Sequence, residues 1–181
     1  DFELLSPAIS VLVTAGGILL AGLTTKQWRW LGAIALGGLA LLTILAGLVT
    51  ALSISFAYFQ QGQTLTYLLG GWAPPLGIAL RADALSVGML IVVAVVVAGI
   101  AAFAWNDFAA PQDGSEKRAP FLYWLLLLAV WGSLNLVFLS GDLFTPYVAL
   151  ELHTFAAVPL VCLDGGGETV SPALRYLLFA L

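Results

Sequence analysis

The chain has 181 residues, 61% of them hydrophobic and only 9% charged, with a mean hydropathy of +1.05. A soluble core of this size does not need that much apolar surface, so the composition indicates a polytopic membrane protein. The net charge of −4 says little, because the charges lie almost wholly between the apolar runs, and no basic patch suited to nucleic acid is present.

The first apolar run, from about Pro7 to Leu23, follows Asp1 and Glu3 and not a basic region, which predicts a true span and no signal peptide. The chain starts without Met, as expected if a segment before Asp1 has been removed or left out. Lys26, Arg29, Trp28 and Trp30 mark a short interfacial loop. A second, charge-free span runs from about Leu31 to Tyr58, longer than one crossing needs. Residues from about 60 to 82 differ in kind. β-forming residues at 64–69 and 77–81 flank Gly70, Gly71, Pro74 and Pro75, which predicts a small extramembrane β-hairpin.

Asp83 is placed to cap a third span, about Ala84 to Trp105. The polar stretch 107–120 then reads as a solvated loop. A fourth span, about Phe121 to Leu139, turns through Ser140-Gly141 into a fifth that ends near Cys162, so the two must be antiparallel neighbours. Asp164 to Glu168 reads as a flexible loop, and a sixth run starts at Ser171-Pro172. Its ten residues to Leu181 reach only ~15 Å, which predicts that the chain stops inside a helix. The expected fold is therefore all-α: five full transmembrane helices, the start of a sixth, and the hairpin between helices two and three. Basic residues in the short loops favour a cytoplasmic first loop and 107–120 loop, which puts the N-terminus and the hairpin outside.

The fifth span carries a carboxylate at its middle. Asp142 is a good N-cap, and Glu151, nine residues on, lies ~13 Å along the axis, near the bilayer midplane. A charge there costs at least ~2.5 kcal/mol, and such carboxylates usually sit on ion or proton paths. The plainer alternative is a neutral, hydrogen-bonded structural residue. Helical spacing puts Tyr147, Thr154 and Phe155 on the face of Glu151, the first two as hydrogen-bond candidates. His153 lies roughly 200° around the helix and should not touch Glu151, which leaves a packing role or a relay role. Asn135 on the fourth span reads as a helix–helix hydrogen-bond residue. Arg175 either snorkels to the interface or supplies a positive partner for Glu151. One cysteine, Cys162, and one histidine exclude a self-contained iron–sulfur cluster, bis-histidine haem or Cys/His zinc site, so no metal or cofactor is expected.

Gly141-Asp142-Leu143-Phe144 followed by Glu151 resembles the glutamate-bearing fifth helix of antiporter-like proton-conducting subunits. These occur in Mrp-type Na⁺/H⁺ antiporters, respiratory complex I and membrane-bound hydrogenases. Gly71 through Ile78 with Asp83 through Ser86, Asn135 seven residues before Asp142, and Ala173 through Tyr176 are similar to the Mrp D-type subunit. The resemblance implies about fourteen helices with inverted repeats, each containing a broken helix. Residues 1–106 would be the peripheral helices, 107–120 a cytoplasmic loop, and 121–181 the opening of the proton-conducting repeat. Arg175 stands where the family has a lysine, Ala149-Leu150 replaces its aromatic pair, His153 is unusual, and the broken-helix lysine would lie beyond Leu181.

The expected function is proton translocation through Glu151, with Arg175 and His153 nearby and Asn135, Asp142, Tyr147 and Thr154 in support. The expected setting is the inner (plasma) membrane, among other membrane subunits, with protons and Na⁺ as candidate cargo and no catalytic chemistry of its own. Two rival classes stand beside an antiporter subunit of the D type. One is the pumping subunit of complex I, a hydrogenase or a bicarbonate-accumulating complex. The other is a structural assembly subunit.

Overall fold

The computed structural model describes residues 29–74, 76–108, 119–164 and 167–180. Five helices and one two-stranded sheet follow in order: α1 (Arg29–Gln61), β1 (Leu65–Leu68), β2 (Ala79–Ala82), α2 (Ala84–Phe108), α3 (Ala119–Leu139), α4 (Phe144–Val161) and α5 (Gly167–Ala180). Four helices are long and apolar enough to cross a membrane, over Gly37–Gln61, Ala84–Trp105, Leu122–Leu139 and Phe144–Val161. They match the second to fifth spans read from the sequence. The expected first span, near 7–23, lies outside the described residues, as does most of the 107–120 loop.

The ends of these helices have local causes. Gly62, at φ +63°, closes α1 by donating its N–H to the Tyr58 carbonyl at 2.9 Å, a left-handed cap that glycine adopts without strain. At the start of α2, the Ser86 N–H and hydroxyl both donate to Asp83 Oδ1, at 3.0 and 3.1 Å. One helix start differs from the sequence expectation. α5 begins at Gly167, so the expected loop is helical from that residue and Pro172 sits inside the helix. The proline ring disturbs only the carbonyl four residues back, at Glu168 in the first turn, where few bonds are at stake.

α1, α2 and α3 form the packed core, and α4 lies mainly against α3. The seam on α1 is Gly37, Ala40, Ile44, Gly47, Ala51 and Ile54, small or compact residues at helical spacing. They admit large partners. Trp124 and Trp131 of α3 are fully buried, and the Trp105 and Trp124 rings lie 6.1 Å apart. Two apolar clusters result. One gathers Ala40, Ile44, Ala94, Val97, Trp124 and Trp131; the other joins Ala51, Ile54, Val87, Leu90 and Leu139 to the hairpin.

The hairpin therefore closes one end of the bundle. Its strands are antiparallel, with Leu65 opposite Ala82 and Tyr67 opposite Leu80. Leu65, Leu80 and Ala82 point into the core while Thr66 and Arg81 point out, the alternation of a half-buried strand. Gly70 and Gly71, at φ +70° and +76°, make the turn. Outside the sheet, Leu80 bridges to Ser140 in the α3–α4 connection.

Candidate functional site

α4 is an 18-residue helix whose start is held by Asp142. Asp142 Oδ1 accepts the N–H groups of Phe144 and Thr145 at 2.9 and 2.8 Å, and Oδ2 accepts the Thr145 hydroxyl at 2.7 Å. Leu143 already has helical dihedrals, so Asp142 is the N-cap in hydrogen-bonding terms, as expected from the sequence. These bonds, led by that of the Thr145 hydroxyl, hold its pKa below the usual carboxylate value, and the Ser86 amide does the same for Asp83. A depressed folded-state pKa contributes stability above the ordinary carboxylate range and loses it as pH falls through the folded value. Both caps are thus fully formed at neutral pH.

From this fixed start, Thr145, Ala149 and Ala156 make the buried face of α4. His153 belongs to the same side, and its Nδ1 lies 3.2 Å from the Ser133 hydroxyl of α3. Ser133 Oγ also donates to the Val130 carbonyl at 2.8 Å, so an Nδ1-protonated imidazole satisfies both contacts. Ser133 was not among the residues singled out by sequence reasoning. Its only signal is position, one short hydroxyl in an apolar helix, which cannot tell the α4 side from any other.

Glu151 lies around the helix from this contact. It is half-buried, and its neighbours on the same side, Tyr147, Leu150 and Phe155, are exposed. The separation of His153 from Glu151 agrees with their helical spacing. Thr154 does not serve Glu151: its hydroxyl donates to the Leu150 carbonyl at 3.0 Å, the ordinary way a hydroxyl is satisfied inside an apolar helix. Asn135 is buried, but it is two residues from Ser133 and so roughly 200° away from the α4 contact. It shares its stripe with Trp131 and Leu139, toward α1 and α2. Arg175 is exposed on α5 and forms no ion pair with Glu151. Among the described residues no group of three His, Cys, Asp or Glu side chains could hold a metal ion.

No family model matches the chain. Individual relatives do. It is 36% identical over 141 residues to the NADH-quinone oxidoreductase subunit N of Desulforudis audaxviator, covering 77% of this chain and 26% of the relative. It is 30% identical over 122 residues to the D subunit of the Na(+)/H(+) antiporter of Bacillus subtilis, covering 67% and 23%. The chain belongs to the antiporter-like subunit family. It spans about a quarter of the length of these curated relatives. Two solved structures share this fold. One is the membrane-bound sulfane sulfur reductase, an archaeal respiratory membrane complex, with a TM-score of 0.71, 20% identity, and 98% of this chain and 33% of that one covered. The other is the Mrp complex from Dietzia sp., with a TM-score of 0.56, 22% identity, and 96% and 40% covered.

Proposed function

We propose that the chain forms part of a proton-translocating, antiporter-like subunit that works beside other membrane subunits in a multisubunit complex. The observation that carries this reading is Glu151. It is a carboxylate halfway along a membrane-length helix, on the side of α4 away from its main packing partner. Glu151 takes and gives a proton in concert with a basic group and with the neighbouring subunit. Moving a proton across the full membrane is worth ~2.3 kcal/mol per 100 mV, comparable to one or two pKa units, so modest rearrangement can gate transfer. Arg175, exposed on α5 and without an ion pair to Glu151, is the candidate positive group of this chain. The lysine partner that the family resemblance implies would come from helices outside this chain. The test is uncoupler-sensitive ion flux by the intact complex carrying Glu151→Gln; a wild-type rate overturns the reading.

The D-type Na⁺/H⁺ antiporter subunit is the leading assignment, with residues 1–106 peripheral and 121–181 opening the conducting repeat. The 36% identity to an N-type oxidoreductase subunit favours, as second reading, a proton-pumping subunit of a complex I-like assembly. Sodium-dependent against quinone-dependent proton movement separates the two.

The proposed setting is the plasma membrane, with the N-terminus and the hairpin outside. In the sequence Arg29 precedes one span and Lys117 and Arg118 precede another of the same direction, so this orientation agrees with the positive-inside rule. Cysteines introduced at Gln63 and Gly114 should react with a membrane-impermeant maleimide from opposite sides, Gln63 from outside. Labelling of both from one side would overturn the helix count.

His153 is proposed as a packing residue with a secondary influence on proton movement. His153→Gln and Ser133→Ala should each retain a substantial fraction of transport and shift its pH optimum. Complete loss at normal assembly would make His153 a direct relay member.

A further inference from the structure

The α3–α4 turn is tied to the hairpin by a backbone hydrogen bond. The Gly141 N–H donates to the Ala79 carbonyl at 2.8 Å. Leu80 and Ser140 pair across the same edge, so β2 has β1 on one side and the turn on the other. The approach is close. A Cβ at Gly141 would stand 3.0 Å from the Ala79 oxygen and 3.2 Å from Arg81 Cβ, a space only glycine leaves free. β2 is itself anchored, because Leu80 and Ala82 sit in the cluster with Ile54 and Leu90. The turn thus joins two neighbours in two successive residues: Gly141 meets strand β2 through Ala79, and Asp142 starts α4 through Phe144 and Thr145.

We infer that strand β2 and Asp142 are positioning elements that set the height and rotation of α4, and through it the placement of Glu151. This rests on the reading of Glu151 as the proton-carrying group. A helix fixed only by packing against α3 is free to slide or turn by a fraction of a residue. A tie at Gly141, joined to the Asp142 cap nine residues before the carboxylate, removes that freedom. Transfer between groups at hydrogen-bond range is sensitive to such displacements, since errors of about 1 Å can cost up to about a hundredfold in rate.

The decisive variant is Gly141→Ala. It keeps the Asp142 cap but sets a Cβ 3.0 Å from the Ala79 oxygen, which forces the turn away from β2. In the intact complex, Gly141→Ala should assemble normally and transport about tenfold more slowly. Asp142→Ala, which removes the cap, should slow transport to a similar extent. Asp142→Asn, whose side-chain oxygen can still accept the Phe144 and Thr145 amides, should restore at least about half of the flux. Wild-type flux in Gly141→Ala overturns the inference, as does its failure to assemble. Transport by Asp142→Asn no faster than by Asp142→Ala shows instead that the carboxylate acts by itself. Glu151→Gln, measured alongside, separates the two claims. Wild-type flux there sinks the conduction reading; loss there with unimpaired Gly141→Ala sinks only the positioning.

Discussion

Glu151→Gln should leave expression and complex assembly normal and reduce transport to near background. Glutamine has the size and hydrogen-bonding reach of the carboxyl but exchanges no proton at the working site. The residue lies halfway along α4, where a carboxylate persists only if neutral, paired or hydrated, and each of those states ties its protonation to its surroundings. Glu151→Asp keeps the carboxyl but is ~1.5 Å shorter, one C–C bond, so partial activity should remain. The measurement is uncoupler-sensitive acidification in everted vesicles, normalised to assembled complex. Wild-type transport by Glu151→Gln would make the residue a structural hydrogen-bonder and favour the assembly-subunit class.

Gly47→Leu should cause the largest loss of stability among substitutions in the described core. A Cβ at Gly47 would overlap the edge of the Trp131 ring at Cη2 and Cζ2, and Trp131 is only 1% exposed. Neither helix can yield cheaply, since Trp131 is locked between α1 and α2 while Ile44 and Leu128 fill the adjoining space. Overpacking costs about 1–3 kcal/mol for modest additions and more where the backbone must part. Even Gly47→Ala should lower the melting midpoint of the purified complex. Trp131→Leu should also lower it, through a cavity that costs about 3 kcal/mol of stability. The double variant Gly47→Ala/Trp131→Leu should melt above the additive expectation, with a coupling of about 0.5–3 kcal/mol. Strict additivity would show that the two residues do not pack as described. Trp131→Phe is expected to be milder, because the indole Nε1 is buried without a hydrogen-bond partner and its loss costs no bond.

Much of the architecture is legible in the chain because its causes are local. Apolar runs of membrane length leave helix as the only way to satisfy the backbone in lipid. Asp83 and Asp142 mark helix starts through side chains that reach two or three residues ahead, and paired glycines mark the hairpin turn. The carboxylate at Glu151 stands out for the same reason: one charge in an apolar run needs no partner to be noticed. Local reasoning failed where a residue had several ways to be satisfied. Thr154 is spaced to reach Glu151, yet its hydroxyl takes the nearer Leu150 carbonyl. Pro172 reads as a helix boundary, yet its ring fits one turn into α5.

What the sequence by itself determined is the membrane class, the positions of the four described spans, the hairpin, both aspartate caps and the divergence of His153 from Glu151. Each depends on residues within about one helical turn or one strand pair of each other. Only the tertiary structure decided which side chains meet across elements. Trp131 fills the notch at Gly47, 84 positions away by number, and Ser133 takes up His153. Ala79 gives its carbonyl to the Gly141 N–H in the α3–α4 turn. These contacts depend on helix rotation and on which helix lies next to which. An almost uniformly apolar surface leaves both open until the cores interlock, because lipid solvates any face equally well.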